Sequence, residues 1–213
     1  MKFLYKLTTL LFKGYFHIFY KFRVYGAQGL PPGAAILAAN HASFFDPPLI
    51  AAVCPEDLHF LARASLFKSK FAQWLLPKLN AHPIEGTVQD RNSLRMICQL
   101  LQDGNKVLIF PEGMRSATGD LQPIKSGVAM LAMRAPCPII PVYLQGTFAV
   151  WPRNQRWPSL RSAITCVFGK PIYISDNPDD HKKKRQEQCL QQLQESLNNL
   201  RLWAEDGATG EMP

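Results

Sequence analysis

The segment NHASFFD (residues 40–46) brings an imidazole and a carboxylate together, because His41 and Asp46 are separated by only four residues. A carboxylate that accepts a hydrogen bond from Nδ1 of a histidine fixes the tautomer and leaves Nε2 free to remove a proton from a hydroxyl group. General-base catalysis of this kind lowers a barrier by roughly 3 to 5 kcal/mol. The spacing alone also fits a helix-capping aspartate beside an unrelated loop histidine.

The neighbouring residues predict where the pair lies in the fold. Residues 34–39 form a short apolar run, which favours a buried strand, so His41 is expected at the end of that strand. Two prolines follow Asp46, and proline is tolerated in the first turn of a helix. Asp46 is therefore predicted to be the N-cap of a helix over residues 47–53.

A second segment delivers charged groups to another strand end. Residues 106–110 predict a buried strand that stops at Pro111, and Glu112 and Arg115 follow at once. The carboxyl ends of parallel strands meet at one edge of a sheet. Both charged segments are therefore expected at the same edge.

The segments NHASFFD (40–46) and FPEGMRS (110–116) together resemble the paired signatures of the glycerolipid acyltransferases, most closely the lysophosphatidic acid acyltransferases. Further blocks similar to those of the family lie at residues 60–67, 124–127 and 139–146. The resemblance covers about residues 25 to 175. It implies direct transfer of a fatty acyl group from a thioester to the free hydroxyl of a lysophospholipid, without a covalent acyl-enzyme, in phospholipid biosynthesis.

In the first motif the resemblance implies that His41 is the base and that Asp46 orients it. It implies no metal and no cofactor other than the co-substrate, an acyl thioester of coenzyme A or of acyl carrier protein. Two alternatives from other classes stay open. A lipid hydrolase or thioesterase would use the same pair to activate water, and a non-catalytic membrane-binding module would not need the pair at all.

In the second motif the resemblance implies that Glu112, Gly113 and Arg115 line the acceptor site. Arg115 is the best candidate for gripping the glycerol phosphate, because a guanidinium group fits phosphate oxygens in a bidentate way. Lys125 is a weaker second phosphate ligand, since an isolated lysine is more often simply solvated.

One block departs from the family pattern. Members often carry a basic residue just past a Pro-Val or Pro-Ile pair, where it helps to bind phosphate, but here Glu85 and Gly86 follow that pair. The nearest arginine is Arg91, which is expected either to substitute as a phosphate ligand or to leave the headgroup contact different. Another acceptor, such as lysophosphatidylethanolamine, therefore remains an alternative.

Length, charge and cysteine content agree with this interpretation. The chain has 213 residues, 47% of them hydrophobic, which suits one globular domain, and its net charge of +8 favours acidic partners. The basic residues are dispersed and form no nucleic-acid-binding signature, so nucleic acid is not expected as a partner. The five cysteines are odd in number and widely spaced, which indicates free thiols in a reducing compartment.

The first 25 residues predict an amphipathic helix that lies in the membrane interface. Polar residues recur every three or four positions, which places them on one stripe of a helix and leaves a wide apolar face. A spanning helix would instead place Lys13 near the bilayer centre, at a cost of roughly 2.5 to 3.5 kcal/mol. Peripheral or monotopic attachment to an anionic membrane, on its cytoplasmic face, is therefore expected. The alternative is that the apolar stripe packs on the protein's own core. In the interfacial arrangement four aromatic side chains would lie among acyl chains: Phe12, Phe16, Phe19 and Phe22.

The alternation of apolar runs predicts an α/β domain with a mixed, largely parallel sheet that helices flank on both sides. Strands are expected at residues 34–39, 58–62, 106–110, 138–144 and 163–168, and helices at 47–53, 64–79, 90–103 and 126–134. The predicted organisation is a membrane-associating helix (1–25), an acyltransferase domain (26–175), a helix packed on that domain (176–203) and a disordered polar tail (204–213).

Overall fold

The computed structural model describes residues 2–84, 91–160, 162–174 and 181–213. Within these residues, one sheet is formed by seven strands: β1 (Arg23–Tyr25), β2 (Ala35–Ala39), β3 (Leu58–Arg63), β4 (Ala81–Ile84), β5 (Lys106–Ile109), β6 (Ile139–Gln145) and β7 (Thr165–Phe168). Their order across the sheet is β1-β7-β6-β2-β5-β3-β4, and only β6 and β7 pair in antiparallel fashion. The prediction of a mixed, largely parallel sheet is confirmed.

Helices cover both faces of this sheet. They are α1 (Lys2–Tyr20), α2 (Asp46–Val53), α3 (Lys70–Leu75), α4 (Arg91–Gln102), α5 (Gly127–Arg134), α6 (Thr147–Val150) and α7 (Lys182–Glu205). Successive side chains of a strand point to opposite faces. Leu37 of β2 therefore packs in the core beneath α1 and α2, while Ile36 packs in a second core beneath α4, α5 and α7.

The chain connections change direction between the neighbouring strands β2 and β5. From β2 the chain continues to β3, toward the β4 edge of the sheet. From β5 it continues to β6, toward the β1 edge. Ligands of open α/β sheets bind outside the carboxyl ends of the strands at such a switch point. His41 and Glu112 follow these two neighbouring strands.

The prediction of one helix over residues 64–79 was wrong. That segment is a 3₁₀ turn (Ala64–Phe67), then α3, then a second 3₁₀ turn (Leu76–Leu79). The Ser69 hydroxyl accepts a hydrogen bond from the backbone N–H of Ala72 at 3.1 Å, so α3 starts only there. Strands β1 and β4 were not predicted. Strand β1 has only three residues, and β4 contains a proline, which is tolerated there because β4 lies at the edge of the sheet.

The N-terminal helix is shorter than the predicted 25 residues. It ends at Tyr20, and Lys21 adopts a left-handed conformation with φ of 45°. The backbone carbonyl of Tyr20 accepts from the N–H of Ile164, and the N–H of Arg23 donates to the carbonyl of Ile164, both at 3.0 Å. These bonds turn the chain into β1, which runs parallel to β7.

Only one face of α1 is docked on the domain. Phe16 and Phe22 are buried in the core, and the ring of Phe16 meets that of Phe45 at a centroid distance of 5.3 Å. The expectation that Phe16 and Phe22 lie among acyl chains was therefore wrong, because they pack against the protein itself. Large apolar side chains on the rest of the helix are exposed: Phe3, Leu7, Leu10, Leu11, Ile18 and Phe19. No helix in the described part of the chain is both long enough and apolar enough to cross a bilayer.

The C-terminal helix extends slightly beyond its predicted end at residue 203. Helix α7 continues to Glu205, and its Leu193, Leu197 and Leu200 are buried against the sheet. Met212 is partly buried beside the last turns of α7 and approaches Gly26 closely. The helix thus ends two residues later than predicted, and disorder of the remaining tail stays a prediction.

A buried lysine fastens the amino ends of the strands. The side chain of Lys106 is fully buried, and its Nζ donates hydrogen bonds to the carbonyls of Pro31 at 2.7 Å and Gly33 at 2.8 Å and to the carboxylate of Glu56. Lys106→Met removes three hydrogen bonds from an ammonium group, but Glu56 is 42% exposed and can be hydrated, so the free energy of unfolding in urea is expected to fall by about 2 kcal/mol. The control is Lys183→Met, which removes an exposed ammonium and is expected to have no measurable effect. Equal losses in both variants would contradict this interpretation.

Candidate active site

His41 and Asp46 are in direct contact at the carboxyl end of β2. Nδ1 of His41 lies 2.7 Å from Oδ2 of Asp46, and the same oxygen accepts the backbone N–H groups of Ala42 and Ser43, each at 2.7 Å. Asp46 is fully buried, whereas the His41 side chain is 17% exposed. Nε2 of His41 has no hydrogen-bond partner among the described residues, so it is available to a substrate.

Asp46 was predicted to be an N-cap, and the structure corrects this. Helix α2 starts at Asp46 itself, and Phe45 holds the cap position without a side-chain cap bond. The carboxylate points back toward the preceding loop, where three hydrogen bonds from that loop hold it. It therefore orders the loop that carries His41 rather than the start of the helix.

The His41 loop is attached to the neighbouring strand and stacked on an aromatic ring. The side chain of Asn40 donates to the carbonyl of Leu144 on β6 at 3.1 Å and accepts from the N–H of the same residue at 2.7 Å. The ring of His41 lies on that of Phe110, with 3.8 Å between centroids and 16° between planes. These contacts fix the direction of the imidazole, and sequence reasoning had assigned no role to Asn40 or Phe110.

Glu112 joins the two motifs. Its Oε1 accepts the backbone N–H of His41 at 3.2 Å, and the N–H of Ser116 donates to the His41 carbonyl at 2.7 Å. Burial raises the pKa of Glu112 to about 8, and the negative charge of Asp46 acts in the same direction, although hydrogen bonds from backbone groups oppose it. Glu112 therefore supports the His41 loop through this hydrogen bond, and its raised pKa favours the protonated carboxyl group.

The raised pKa of Glu112 makes the stability of the protein depend on pH. Because the folded pKa of about 8 exceeds the ordinary value, ionisation is disfavoured in the folded state, and stability falls as pH rises from about 4.3 toward 8. Glu112→Gln has no charge to bury, so the variant is expected to lack this fall. At pH 8 it should be more stable than the unmodified protein by a few kcal/mol, since each pKa unit is worth about 1.4 kcal/mol. Urea unfolding at pH 5 and pH 8 measures the difference, and parallel pH profiles would contradict it.

Arg115 lies over the first motif. Its guanidinium carbon is 3.6 Å from the ring centroid of Phe44, and its NH1 is buried without a hydrogen-bond partner among the described residues. Burial lowers the pKa of Arg115, and the positive charges of Arg63 and Arg153 lower it further. A buried N–H donor without a partner is costly, so this geometry suits an anionic ligand that accepts from NH1.

Arg63 and Arg153 were not among the predicted site residues. Arg63 ends β3 and Arg153 follows α6, and their charges act on Arg115. Arg63 lies in the block at residues 60–67 that is similar to the family's, and this similarity could have identified it as a site residue. Arg153 had none, because it is distant from both motifs along the chain.

Gly113 and Lys125 lie together beside Glu112. Gly113 has φ of 79°, and a Cβ atom there would lie 2.5 Å from Nζ of Lys125. The backbone N–H of Lys125 also donates to the carbonyl of Pro111 at 3.0 Å. The ammonium group therefore lies against the turn of the second motif, as a phosphate ligand there would require.

Arg91 is not brought to this group of residues. It starts α4, where it lines a cavity of about 280 Å³ with Arg95 and Arg134, and no contact within the described ranges links it to either motif. Its role as an acceptor ligand stays a prediction. Glu85 and Gly86, the departure from the family pattern, lie outside the described residues.

The two serines of the motifs have structural contacts. The hydroxyl of Ser43 donates to the carbonyl of Trp151 at 3.0 Å, and that of Ser116 accepts the N–H of Gly119 at 2.9 Å. Both serines are almost fully buried, and neither hydroxyl contacts the His41 ring within the described part of the chain. This arrangement favours a base that acts directly on a substrate hydroxyl.

Known proteins match this chain over the region that contains both motifs. The family model described as Acyltransferase matches residues 21–145. A 1-acyl-sn-glycerol-3-phosphate acyltransferase of Bacillus subtilis is 25% identical over 180 residues, covering 84% of this chain and 87% of the relative. One of Chlamydomonas reinhardtii is 30% identical over 172 residues, covering 76% of this chain but 49% of the relative, so this chain spans about half of that protein's length.

The fold is shared with a solved enzyme structure. The crystal structure of the 1-acyl-sn-glycerophosphate (LPA) acyltransferase from Thermotoga maritima matches with a TM-score of 0.75 at 22% identity, covering 93% of this chain and 79% of that one. The family model spans more than half of the chain and includes the His41 and Glu112 motifs. The resemblance noted in the sequence is thus confirmed: the chain belongs to the acyltransferase family.

Proposed function

We propose that the protein transfers a fatty acyl group from an acyl thioester to the free hydroxyl of lysophosphatidic acid, which yields phosphatidic acid for phospholipid biosynthesis. The observation that carries the proposal is the 2.7 Å contact between His41 and Asp46, beside the Glu112 and Arg115 motif at one sheet edge. The names of the relatives support this acceptor.

In the proposed reaction His41 acts as a general base on the acceptor. Nε2 removes the proton of the hydroxyl as its oxygen attacks the thioester carbonyl, while Asp46 stabilises the imidazolium that forms. An oxygen–carbon bond forms and the carbon–sulfur bond breaks. The proton then passes from His41 to the departing thiolate, which restores the base without a covalent acyl-enzyme or an additional cofactor.

The phosphate of the acceptor is proposed to bind at Arg115. The unpaired NH1 donor offers one strong hydrogen bond, and the charges of Arg63 and Arg153 make the surroundings more positive. Lys125, at the turn of Gly113, adds a further cation. A dianionic phosphate monoester would relieve the repulsion among these groups better than a zwitterionic headgroup.

The assay that tests this function supplies purified protein with an acyl thioester, with and without lysophosphatidic acid. Formation of phosphatidic acid, dependent on the acceptor, is expected. Free fatty acid released at the same rate without acceptor would identify a hydrolase instead. A panel that includes lysophosphatidylethanolamine checks the headgroup, because exclusive use of that lipid would overturn the acceptor while leaving acyl transfer in place.

We also propose that the protein attaches peripherally to the cytoplasmic face of the cell membrane through the layer that contains α1. Exposed Leu10 and Leu11 on α1 and exposed Phe71 and Trp74 on α3 lie on one side of the sheet, since α1 contacts both α2 and the 3₁₀ turn after α3. The ammonium of Lys78 lies 3.6 Å from the Trp74 ring centroid, close to where anionic headgroups would be. The net charge of +8 and the free thiols fit an anionic, cytoplasm-facing surface.

Vesicle binding tests the attachment. Leu10→Ser combined with Leu11→Ser is expected to weaken binding to vesicles of phosphatidylglycerol and phosphatidylcholine by about tenfold or more, because apolar area is no longer buried in lipid. Leu202→Ser is the control, since Leu202 is also largely exposed, at 56% against 66% for Leu10 and 65% for Leu11, but lies on α7 across the sheet. Unchanged sedimentation of the double variant with vesicles would contradict the proposal.

A further inference from the structure

Three arginines surround a cavity on the opposite side of the sheet from α1. The cavity has a volume of about 280 Å³ and is lined by Arg91, Leu94, Arg95, Cys98 and Arg134. Arg91 and Arg95 are one helical turn apart on α4 and therefore share a face, and Arg134 comes from the last turn of α5. Three guanidinium groups thus reach one concave site from two helices.

Within residues 2–84, 91–160, 162–174 and 181–213, no carboxylate forms an ion pair with Arg91, Arg95 or Arg134. Neither α4 nor α5 contains an aspartate or a glutamate. Like charges gathered at one site repel each other, and an anion bound among them would remove that repulsion. Planar guanidinium groups are the side chains best suited to phosphate oxygens.

The cavity lies away from the proposed membrane-binding layer, and one end of it is directed toward the sheet edge that carries His41. Helices α4 and α5 cover the face of the sheet opposite to α1 and α2, so they lie away from the layer proposed to meet the membrane. Helix α4 leads into the amino end of β5, and its start at Arg91 is therefore directed toward the carboxyl edge, where His41 lies. A water-soluble donor anchored here by its phosphates would extend its thioester arm past Arg91 to that edge.

We infer that this cavity binds the phosphate groups of coenzyme A when that carrier brings the acyl thioester, an inference that rests on the proposed transfer reaction. A concave site of this volume, with several convergent guanidinium groups, fits the phosphates of a nucleotide. The acidic helix of a carrier protein would instead need a broad exposed surface. Coenzyme A carries a 3′-phosphate and a diphosphate, which together offer enough oxygens for three arginines.

Calorimetry with coenzyme A and with dephospho-coenzyme A, which lacks the 3′-phosphate, tests the inference. Arg95→Gln combined with Arg134→Gln is expected to weaken coenzyme A binding at least tenfold and to abolish the preference for the 3′-phosphate. In acyl transfer, the KM for acyl-coenzyme A should rise about tenfold while the KM for lysophosphatidic acid stays unchanged. The control is Arg201→Gln, which removes from α7 one half-buried arginine charge that pairs with Glu205.

Each result decides between distinct possibilities. Equal affinity of the double variant and the unmodified protein for coenzyme A would overturn the site. Weaker use of carrier-protein thioesters with unchanged coenzyme A binding would also overturn it and would identify a protein-docking surface. If the double variant loses coenzyme A affinity but the unmodified protein forms no phosphatidic acid, the phosphate site stands and the proposed acceptor reaction fails.

Discussion

Replacing His41 by alanine is expected to lower kcat for acyl transfer by about 10³-fold, within the 10²- to 10⁴-fold range that a positioned general base supplies. The imidazole is the group that Asp46 orients, and its Nε2 is free for the acceptor hydroxyl. The ring is mostly buried, stacks on Phe110 and shares a hydrogen bond with the buried carboxylate of Asp46, so its loss is also expected to lower the thermal unfolding temperature, and rates are compared well below that temperature. Initial rates at saturating thioester and acceptor measure the effect.

Asp46→Asn and Ser43→Ala complete this experiment. The asparagine removes the negative charge that fixes the tautomer and stabilises the imidazolium, so a loss of a similar order is expected, accompanied by lower stability because three hydrogen bonds meet at Oδ2. Ser43→Ala removes a hydroxyl that contacts the Trp151 carbonyl, and its rate should stay within about tenfold. A His41→Ala rate within threefold of the original would refute the base assignment, and inactivation by Ser43→Ala alone would favour a serine nucleophile.

Arg115→Lys is expected to lower kcat/KM for lysophosphatidic acid by about 10- to 100-fold although the charge is retained. An ammonium group lacks the planar donor pair that grips phosphate in a bidentate way and cannot stack on Phe44 as the guanidinium does. Loss of a hydrogen bond to a charged group costs about 1.5 to 3 kcal/mol, and each 1.4 kcal/mol is a factor of ten. The effect should fall on the KM for the acceptor, with the KM for the thioester unchanged.

The chain offers a matched control for this substitution. Arg156 also lies over an aromatic ring, with its guanidinium carbon 5.7 Å from the centroid of Trp157, but it belongs to an exposed loop. Arg156→Lys should leave kcat/KM for lysophosphatidic acid unchanged. If both lysine variants behave alike, Arg115 does not grip the acceptor.

Local patterns predicted much of the fold correctly. The apolar runs that became β2 and β5 were located to within one residue, because a short buried strand between turn residues is distinctive. The three-residue strand β1 was missed because its pairing partner, β7, lies about 140 residues later. Nothing within Arg23–Tyr25 distinguishes it from a continuing helix; backbone hydrogen bonds to Ile164 make the difference.

The same contrast holds for the candidate site. The motif spacing predicted the contact between His41 and Asp46. Two residues five positions apart in a loop after a strand are necessarily close in space. Asn40 was not recognised because it acts through Leu144, 104 residues away. The charges of Arg63 and Arg153 on Arg115 likewise depend on where β3 and α6 end in space.

Local spacing along the chain sets which chemical groups lie at the sheet edge, because strand ends and short motifs involve only a few neighbouring residues. The amphipathic character of α1 is also a local property, since it follows from helical periodicity. Which α1 side chains are covered depends on the folded domain, where Phe16 is buried and Leu10 and Leu11 are exposed. Periodicity reveals an apolar stripe, but its burial depends on which distant surface packs against it. The pKa of Glu112 was decided in the same way, because desolvation arises from neighbours that the chain assembles only when it folds.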